Sequence, residues 1–110
     1  MNKDLRDMQV AQICTYIEEH LTEELTYKRL MEQLHLSQHD LTGRFPRVMD
    51  TTITDYVITK RLKLVISKVK KGMKIEDAAY SSGFHTYSHF YKEFRKHFGI
   101  APRAYFRGKA

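Results

Sequence analysis

The chain has 110 residues, 42% of them hydrophobic, and a formal net charge of +6. This length allows one or two small domains with enough apolar side chains to bury a core. The charge is uneven, because residues 1–59 contain 6 Lys/Arg and 10 Asp/Glu whereas residues 60–110 contain 13 and 3. A basic half is expected of a chain that meets a polyanion, although solvated lysine faces are also common.

Several classes of protein are excluded by what the sequence lacks. A single cysteine, Cys14, allows neither an internal disulfide nor a cysteine-based zinc site, and its apolar neighbours predict a buried thiol. No apolar run approaches the roughly 18–20 residues of a bilayer-spanning helix. The opening residues, MNKDLRD, lack the apolar core of a signal peptide. We therefore expect a cytoplasmic protein.

Two helices are predicted at the start of the chain. Residues 7–21 have apolar side chains near helical spacing and should form a packing helix. After a polar break, Thr26 is expected to cap a helix that runs through Leu34. The apolar positions of the first helix are Met8, Ala11 or Ile13, Cys14, Ile17 and Leu21.

A third helix follows a tight turn and carries an anomaly. Ser37 and Asp40 have the spacing of a capping box. Pro46, nine residues past that cap, removes the hydrogen bond to the Thr42 carbonyl, typically at a cost of about 3 kcal/mol. We therefore expect the helix to kink or restart near Pro46. Its predicted buried stripe is Leu41, Phe45, Val48 and Met49.

A long connector and a second helix pair make up the rest of the chain. Thr52 begins a helix of about 20 residues, which would span roughly 30 Å, close to one turn of B-DNA. Beyond it, a short apolar helix breaks at Gly83, and a second helix restarts near Thr86 and stops before Pro102, where a last short helix begins. The second helix has a predicted core stripe of Phe90, Phe94 and Phe98.

The two helix pairs are repeats of each other. Leu36, Leu41 and Phe45 correspond to Phe84, Phe90 and Phe94 at offsets of 48, 49 and 49 residues. A short helix, a turn and a second helix form the helix-turn-helix plan. The predicted fold is therefore all-α, with two helix-turn-helix subdomains, 1–51 and 72–110, joined by a linker helix over 52–71.

These residues resemble the signature of the AraC/XylS family of transcription activators over about residues 7–107. The resemblance is carried by Leu36-Ser37, Leu41, Phe45, Tyr56, Arg61, Leu62, Ile75, Ala79, Gly83-Phe84, Ser88, Phe90, Phe94, Phe98-Gly99, Pro102, Tyr105 and Arg107. It points to the stand-alone, MarA/SoxS-like members, whose DNA-binding domain has no small-molecule effector. It implies seven helices, a monomer on an asymmetric site of double-stranded DNA, contact with RNA polymerase, and association with the bacterial nucleoid.

The resemblance also assigns candidate site residues. Base-edge candidates are Gln38, His39, Thr42, Gly43, Tyr87, Ser88, His89, Tyr91 and Lys92. Phosphate candidates are Ser37, Arg44, Arg47, Thr86, Arg95 and Lys96. Gly43 departs from the pattern, since stand-alone relatives often have a long side chain there. We expect the second unit to dominate binding.

Some of these residues also have ordinary structural explanations. His39 and His89 fit ordinary exposed polar residues equally well, and the acidic first half is either a solvated face or a docking surface for polymerase. His85 and His89 are four residues apart, but no third metal ligand lies nearby in sequence. No phosphate loop, nucleophile motif or carboxylate pair indicates an enzyme, and no cofactor is expected. The alternative function is a helical interaction protein that binds polymerase or another regulator and reads little DNA, because Gly43 and Pro46 weaken the first unit.

Overall fold

The computed structural model describes the backbone of residues 2–108 and the side chains of residues 8–108. Within this part of the chain the secondary structure is entirely helical, which confirms the all-α class and the two helix-turn-helix units. The seven α-helices are α1 (Asn2–Glu19), α2 (Tyr27–Leu34), α3 (Phe45–Met49), α4 (Ile53–Lys70), α5 (Ile75–Ser81), α6 (Tyr87–Phe98) and α7 (Pro102–Arg107), and a π-helical segment, Asp40–Arg44, leads into α3.

The chain divides into two compact units, Met1–Val57 and Ile58–Ala110. The division falls inside α4, the helix predicted as a linker, so the predicted boundaries at 51/52 and 71/72 stay predictions. The outermost residues of the predicted domains, 1 and 109–110, lie outside the described residues. The first core contains Val10, Ile13, Ile17, Leu30, Leu41, Phe45, Ile53 and Val57. The second contains Ile58, Leu62, Val65, Ala78, Ala79, Phe84, Phe90 and Phe94.

The predicted helix caps of the first unit are confirmed. The Thr26 hydroxyl accepts a hydrogen bond of 3.1 Å from the Arg29 N–H. Ser37 and Asp40 form the reciprocal box: the Ser37 N–H donates to the carboxylate at 2.9 Å, and the Asp40 N–H donates to the Ser37 hydroxyl at 3.1 Å. These bonds satisfy backbone donors that a helix start leaves without a partner.

The expected distortion at Pro46 takes the form of a π-helical segment. The backbone is helical over residues 38–49, which we call the first recognition helix, and its α-helical part restarts as α3 at Phe45, with Pro46 in the first turn, as expected. Ahead of Pro46, the Phe45 N–H bonds to the Asp40 carbonyl, five residues back. Proline cannot donate the next backbone hydrogen bond, and a wider turn accommodates that loss without ending the helix.

Three predictions for the first unit are wrong in detail. Met8 is 62% exposed, because it lies about 200° around α1 from the buried Val10. Val48 is 43% exposed, since the last turn of its helix contacts the core through Met49. Cys14 is half-buried rather than buried, with its Sγ 4.0 Å from the sulfur of Met49.

The core stripe predicted for α6 is correct for two of its three rings. Phe90 and Phe94 are fully buried, whereas Phe98 is 38% exposed. Phe98 lies at the C-terminal end of the helix, where its ring packs against Phe94 at 4.6 Å and against Tyr105 at 5.4 Å between centroids. Phe98 therefore lies at the edge of the second core.

The turn of the second helix-turn-helix depends on a glycine covered by an arginine. Gly83 has φ +111°, a conformation that side chains rarely adopt. A Cβ added there would lie 2.6 Å from Nε of Arg61, which extends from α4. Burial lowers the pKa of Arg61. After the turn, Thr86 caps α6 by accepting a 3.1 Å hydrogen bond from the His89 N–H, and the helix starts where the sequence predicted.

We predict that Gly83→Ala destabilises the protein more than Gly72→Ala. Both glycines have positive φ, +111° and +107°, but an added Cβ at Gly72 meets nothing within 4 Å. Gly72→Ala should therefore cost only backbone strain, about 1–3 kcal/mol. Gly83→Ala should cost about 1–3 kcal/mol more, because Arg61 must move. Denaturant unfolding of both variants measures the difference, and equal losses would show that Arg61 does not constrain the turn.

Candidate nucleic-acid interface

The outward face of the first recognition helix is determined by what its other face buries. Leu41 and Phe45 are fully buried in the first core. The helix consequently presents Gln38, His39 and Thr42 to solvent. In a helix-turn-helix, residues near the start of the second helix contact base edges, and these three lie there.

Hydrogen bonds within the first unit engage some of the predicted contacts. The Thr42 hydroxyl donates to the Gln38 carbonyl at 2.9 Å, which leaves its methyl group and oxygen lone pairs for a ligand. Arg44 is held by the Asp40 carboxylate at 2.8 Å and by the Gln9 amide oxygen at 2.6 Å. Arg44 makes both contacts through Nη1, and its assigned role at a phosphate stays a prediction. Arg47 is exposed.

The ion pair between Asp40 and Arg44 was missed at the sequence level, although its spacing of four residues is the signal for such a pair. Asp40 also belongs to the capping box. The Ser37 N–H, foremost, and then the Ser37 hydroxyl and the positive charge of Arg44 hold the pKa of the Asp40 carboxyl below its usual range. One carboxylate thus stabilises the helix start and positions an arginine.

The second recognition helix, α6, presents a more basic face. Phe90 and Phe94 point into the core, while Ser88, Tyr91 and Lys92 are exposed. Arg95 and Lys96 lie in the last turn of the helix and are exposed too. The helix therefore presents polar groups for base edges together with cations for phosphates.

Tyr87 and His89, two further base-edge candidates, are partly engaged inside the second unit. The Tyr87 ring is half-buried, 5.4 Å from the Phe90 ring, and burial raises its pKa. The His89 ring stands edge-on to Phe84 at 5.7 Å, and its Nε2 is 3.9 Å from the Glu93 carboxylate. Half of the His89 side chain stays exposed, so it can still meet a ligand.

Neither a cluster of metal ligands nor a helix able to cross a membrane occurs among the residues whose side chains are described. His85 precedes the cap of α6, so it does not share a helix with His89. No group of three potential metal ligands occurs in this part of the chain. None of the described helices combines the length and apolar character needed to cross a bilayer.

Comparison with known proteins assigns the chain to a family. Residues 30–108, which include both recognition helices, match the family described as a helix-turn-helix domain. The chain belongs to the AraC/XylS family. The family assignment agrees with the resemblance carried by the sequence.

Named relatives of this AraC/XylS chain are regulators. It is 32% identical over 97 residues to the melibiose operon regulatory protein of Escherichia coli K12, covering 87% of this chain and 32% of that protein. It is 27% identical over 106 residues to the transcriptional activator RhaS of Salmonella schwarzengrund, covering 94% and 37%. The chain thus spans about a third of the length of these two relatives.

A solved structure shows the same fold. The DNA-binding transcriptional dual regulator from Escherichia coli K-12 matches with a TM-score of 0.74 at 26% identity, over 88% of this chain and 93% of that one. The likeness extends well beyond a single helix pair.

We predict that Asp40→Asn lowers stability at neutral pH but not in acid. The pKa of Asp40 is depressed in the folded state, so its ionised form contributes stability above the ordinary aspartate pKa of about 3.9. That contribution disappears as pH falls through the folded-state pKa. The variant should lose about 0.5–1 kcal/mol at pH 7, and the gap should narrow once the pH falls below the ordinary aspartate pKa of about 3.9.

Urea unfolding from pH 7 down to pH 3 measures this gap. The matched control is Asp77→Asn, an exposed carboxyl in the first turn of α5. It shares the helix-start position without the capping box, so its effect should be smaller. A gap for Asp40→Asn that does not change with pH would contradict the assigned role of the charge.

Proposed function

We propose that this chain binds an asymmetric DNA site as a monomer, with its two recognition helices in successive major grooves, and that it activates transcription by contacting RNA polymerase. The observation that carries the DNA part is the repeat. Both second helices bury the same two positions, Leu41/Phe45 and Phe90/Phe94, and so present equivalent faces outward. Two equivalent but chemically different faces suit two different half-sites.

The second recognition helix supplies most of the affinity in this proposal. Lys92, Arg95 and Lys96 are all exposed on it, whereas the first recognition helix holds Arg44 in an internal ion pair. Cations that reach phosphates raise affinity and its salt dependence without reading sequence. Gln38, His39 and Thr42 then add sequence preference from the first unit.

Activation and polymerase contact are supported by the family relationship, since one relative bears the name of a transcriptional activator. Exposed acidic residues of the first unit, including Glu19 and Glu32, offer a surface of opposite sign to the DNA-facing one. A regulator of this kind acts in the cytoplasm, on the nucleoid.

Selection from random duplexes at near-physiological salt tests the DNA part. Two short, unlike blocks about one helical turn apart, bound at one protein per duplex, are the expected result. A symmetric consensus or two proteins per duplex would contradict the monomer on an asymmetric site. Purely salt-sensitive binding without enrichment would leave non-specific electrostatics and favour an interaction protein.

Transcription from a template carrying the selected site, with purified polymerase, tests the activator part. We expect more transcript when the regulator is added, and no change on a template whose two blocks are scrambled. Reduced transcript from the intact site would make the chain a repressor in that context.

We predict that Arg95→Ala weakens binding almost equally on all duplexes and lowers the salt slope by about 1, as loss of a phosphate contact should. Lys92→Ala should instead cost on the order of 1–3 kcal/mol at a defined base pair. Lys28→Ala, an exposed lysine on α2, is the control of equal charge change. Equal effects of all three on affinity and salt slope would contradict the assignment of α6.

A further inference from the structure

The imidazole of His39 lies across Gly43 on the first recognition helix. A Cβ added at Gly43 would be 3.1 Å from both Cε1 and Nδ1 of the ring and 3.7 Å from Nε2. Separations this short are tighter than ordinary van der Waals contact, so the ring occupies space that a side chain at position 43 would need. The ring thus takes the place of the missing side chain.

His39 has uncommitted polar atoms, unlike Arg44 and the proton of the Thr42 hydroxyl. Thr42 donates to the Gln38 carbonyl, and Arg44 is paired with Asp40. Among the described residues, neither ring nitrogen of His39 has a hydrogen-bond partner within the chain, and the side chain is exposed. An imidazole in this state offers one N–H donor and one acceptor to a ligand.

The second recognition helix shows what position 43 does elsewhere in the fold. At the repeat offset of 49 residues, Gly43 corresponds to Lys92, which is exposed. The second unit therefore presents a long cationic side chain at the point where the first unit presents a ring that originates four residues earlier.

We propose that His39 is the specificity-determining residue of the first recognition helix and that Gly43 is a positioning residue, whose missing Cβ allows the imidazole to lie there. The inference rests on the proposed DNA function and deepens it. The expected contact is the ring N–H donating to a purine N7 in the major groove, an acceptor that pyrimidines lack.

A Gly43→Ala variant can therefore distinguish an effect on folding stability from an effect on base recognition. Alanine favours a helix interior more than glycine does, so Gly43→Ala should leave the thermal midpoint unchanged or raise it. The added methyl group must nevertheless push the ring by a few tenths of an ångström. Stability and base discrimination should then move in opposite directions, which a merely structural glycine would not produce.

The experiment is a double-mutant cycle on the duplex selected by the wild-type protein, with each base pair of the first-unit block changed in turn. We expect the wild type to prefer a purine about tenfold at one position, as one good base contact provides. His39→Ala should abolish that preference at that position alone. Gly43→Ala should reduce it several-fold, and should change nothing further when His39 is already alanine.

Gly108→Ala is the matched control, because an added Cβ there meets its nearest atoms at ordinary distances of 3.5 and 3.6 Å. It should leave every preference intact. Full discrimination by His39→Ala on an otherwise selected duplex would overturn the inference while leaving the proposed function standing. So would an equal effect of Gly43→Ala with and without His39. A wild-type protein that selects no sequence would overturn both.

Discussion

Burial of one face on each recognition helix is the constraint on which the rest of the structure depends. Leu41 and Phe45 in the first unit, and Phe90 and Phe94 in the second, are fully buried, each set four residues apart. Once that face is fixed, the rotation of the helix about its axis is fixed as well, and the remaining residues must meet solvent or a ligand. A hydroxyl cap sets where each helix begins. Ser37 lies eight residues before Phe45, and Thr86 lies eight residues before Phe94.

The repeats share this frame but place an acidic and a basic side chain in opposite order. Positions 40 and 44 of the first unit carry an acid and a base, Asp40 and Arg44, at 2.8 Å. The equivalent positions of the second carry His89 and Glu93 at 3.9 Å, with Glu93 only 13% exposed. The ion pair holds Arg44 against the first unit, so this arginine contributes less to the outward face. In the second unit the largely buried residue is Glu93. This exchange makes the second face the more positive one, in line with the unequal charge of the two halves.

Features set by backbone chemistry were predictable from the sequence, and features set by side-chain choice were not. The caps at Thr26 and Ser37 and the glycine turn at Gly83 follow from local chemistry, and each appears as predicted. The cap at Thr86 has the same chemistry. Val48 and Phe98 were misjudged because helical spacing gives direction but does not show where a core ends. Pro46 predicted a distortion of the helix, but the sequence did not specify that a π-helical segment would form. For the site, sequence reasoning named His39 and Gly43 separately. Their contact depends on a rotamer, which no sequence pattern specifies.

Gly43 and Pro46, which weaken the first recognition helix, also limit which of its residues are placed to contact bases. Gln38 and His39 precede the π-helical segment and lie in the first turn, which the capping box holds in place. Within the segment, the Thr42 hydroxyl and Arg44 bond to groups of the first unit itself. Pro46 is accommodated by a wider turn that follows Gln38 and His39. Gly43, which has no side chain, leaves space for the His39 ring from the preceding turn. Under the proposed function, base contacts by this unit would be concentrated at the start of the helix, the end that a helix-turn-helix places closest to the bases. The proline and the glycine would then restrict the number of bases contacted without abolishing contact.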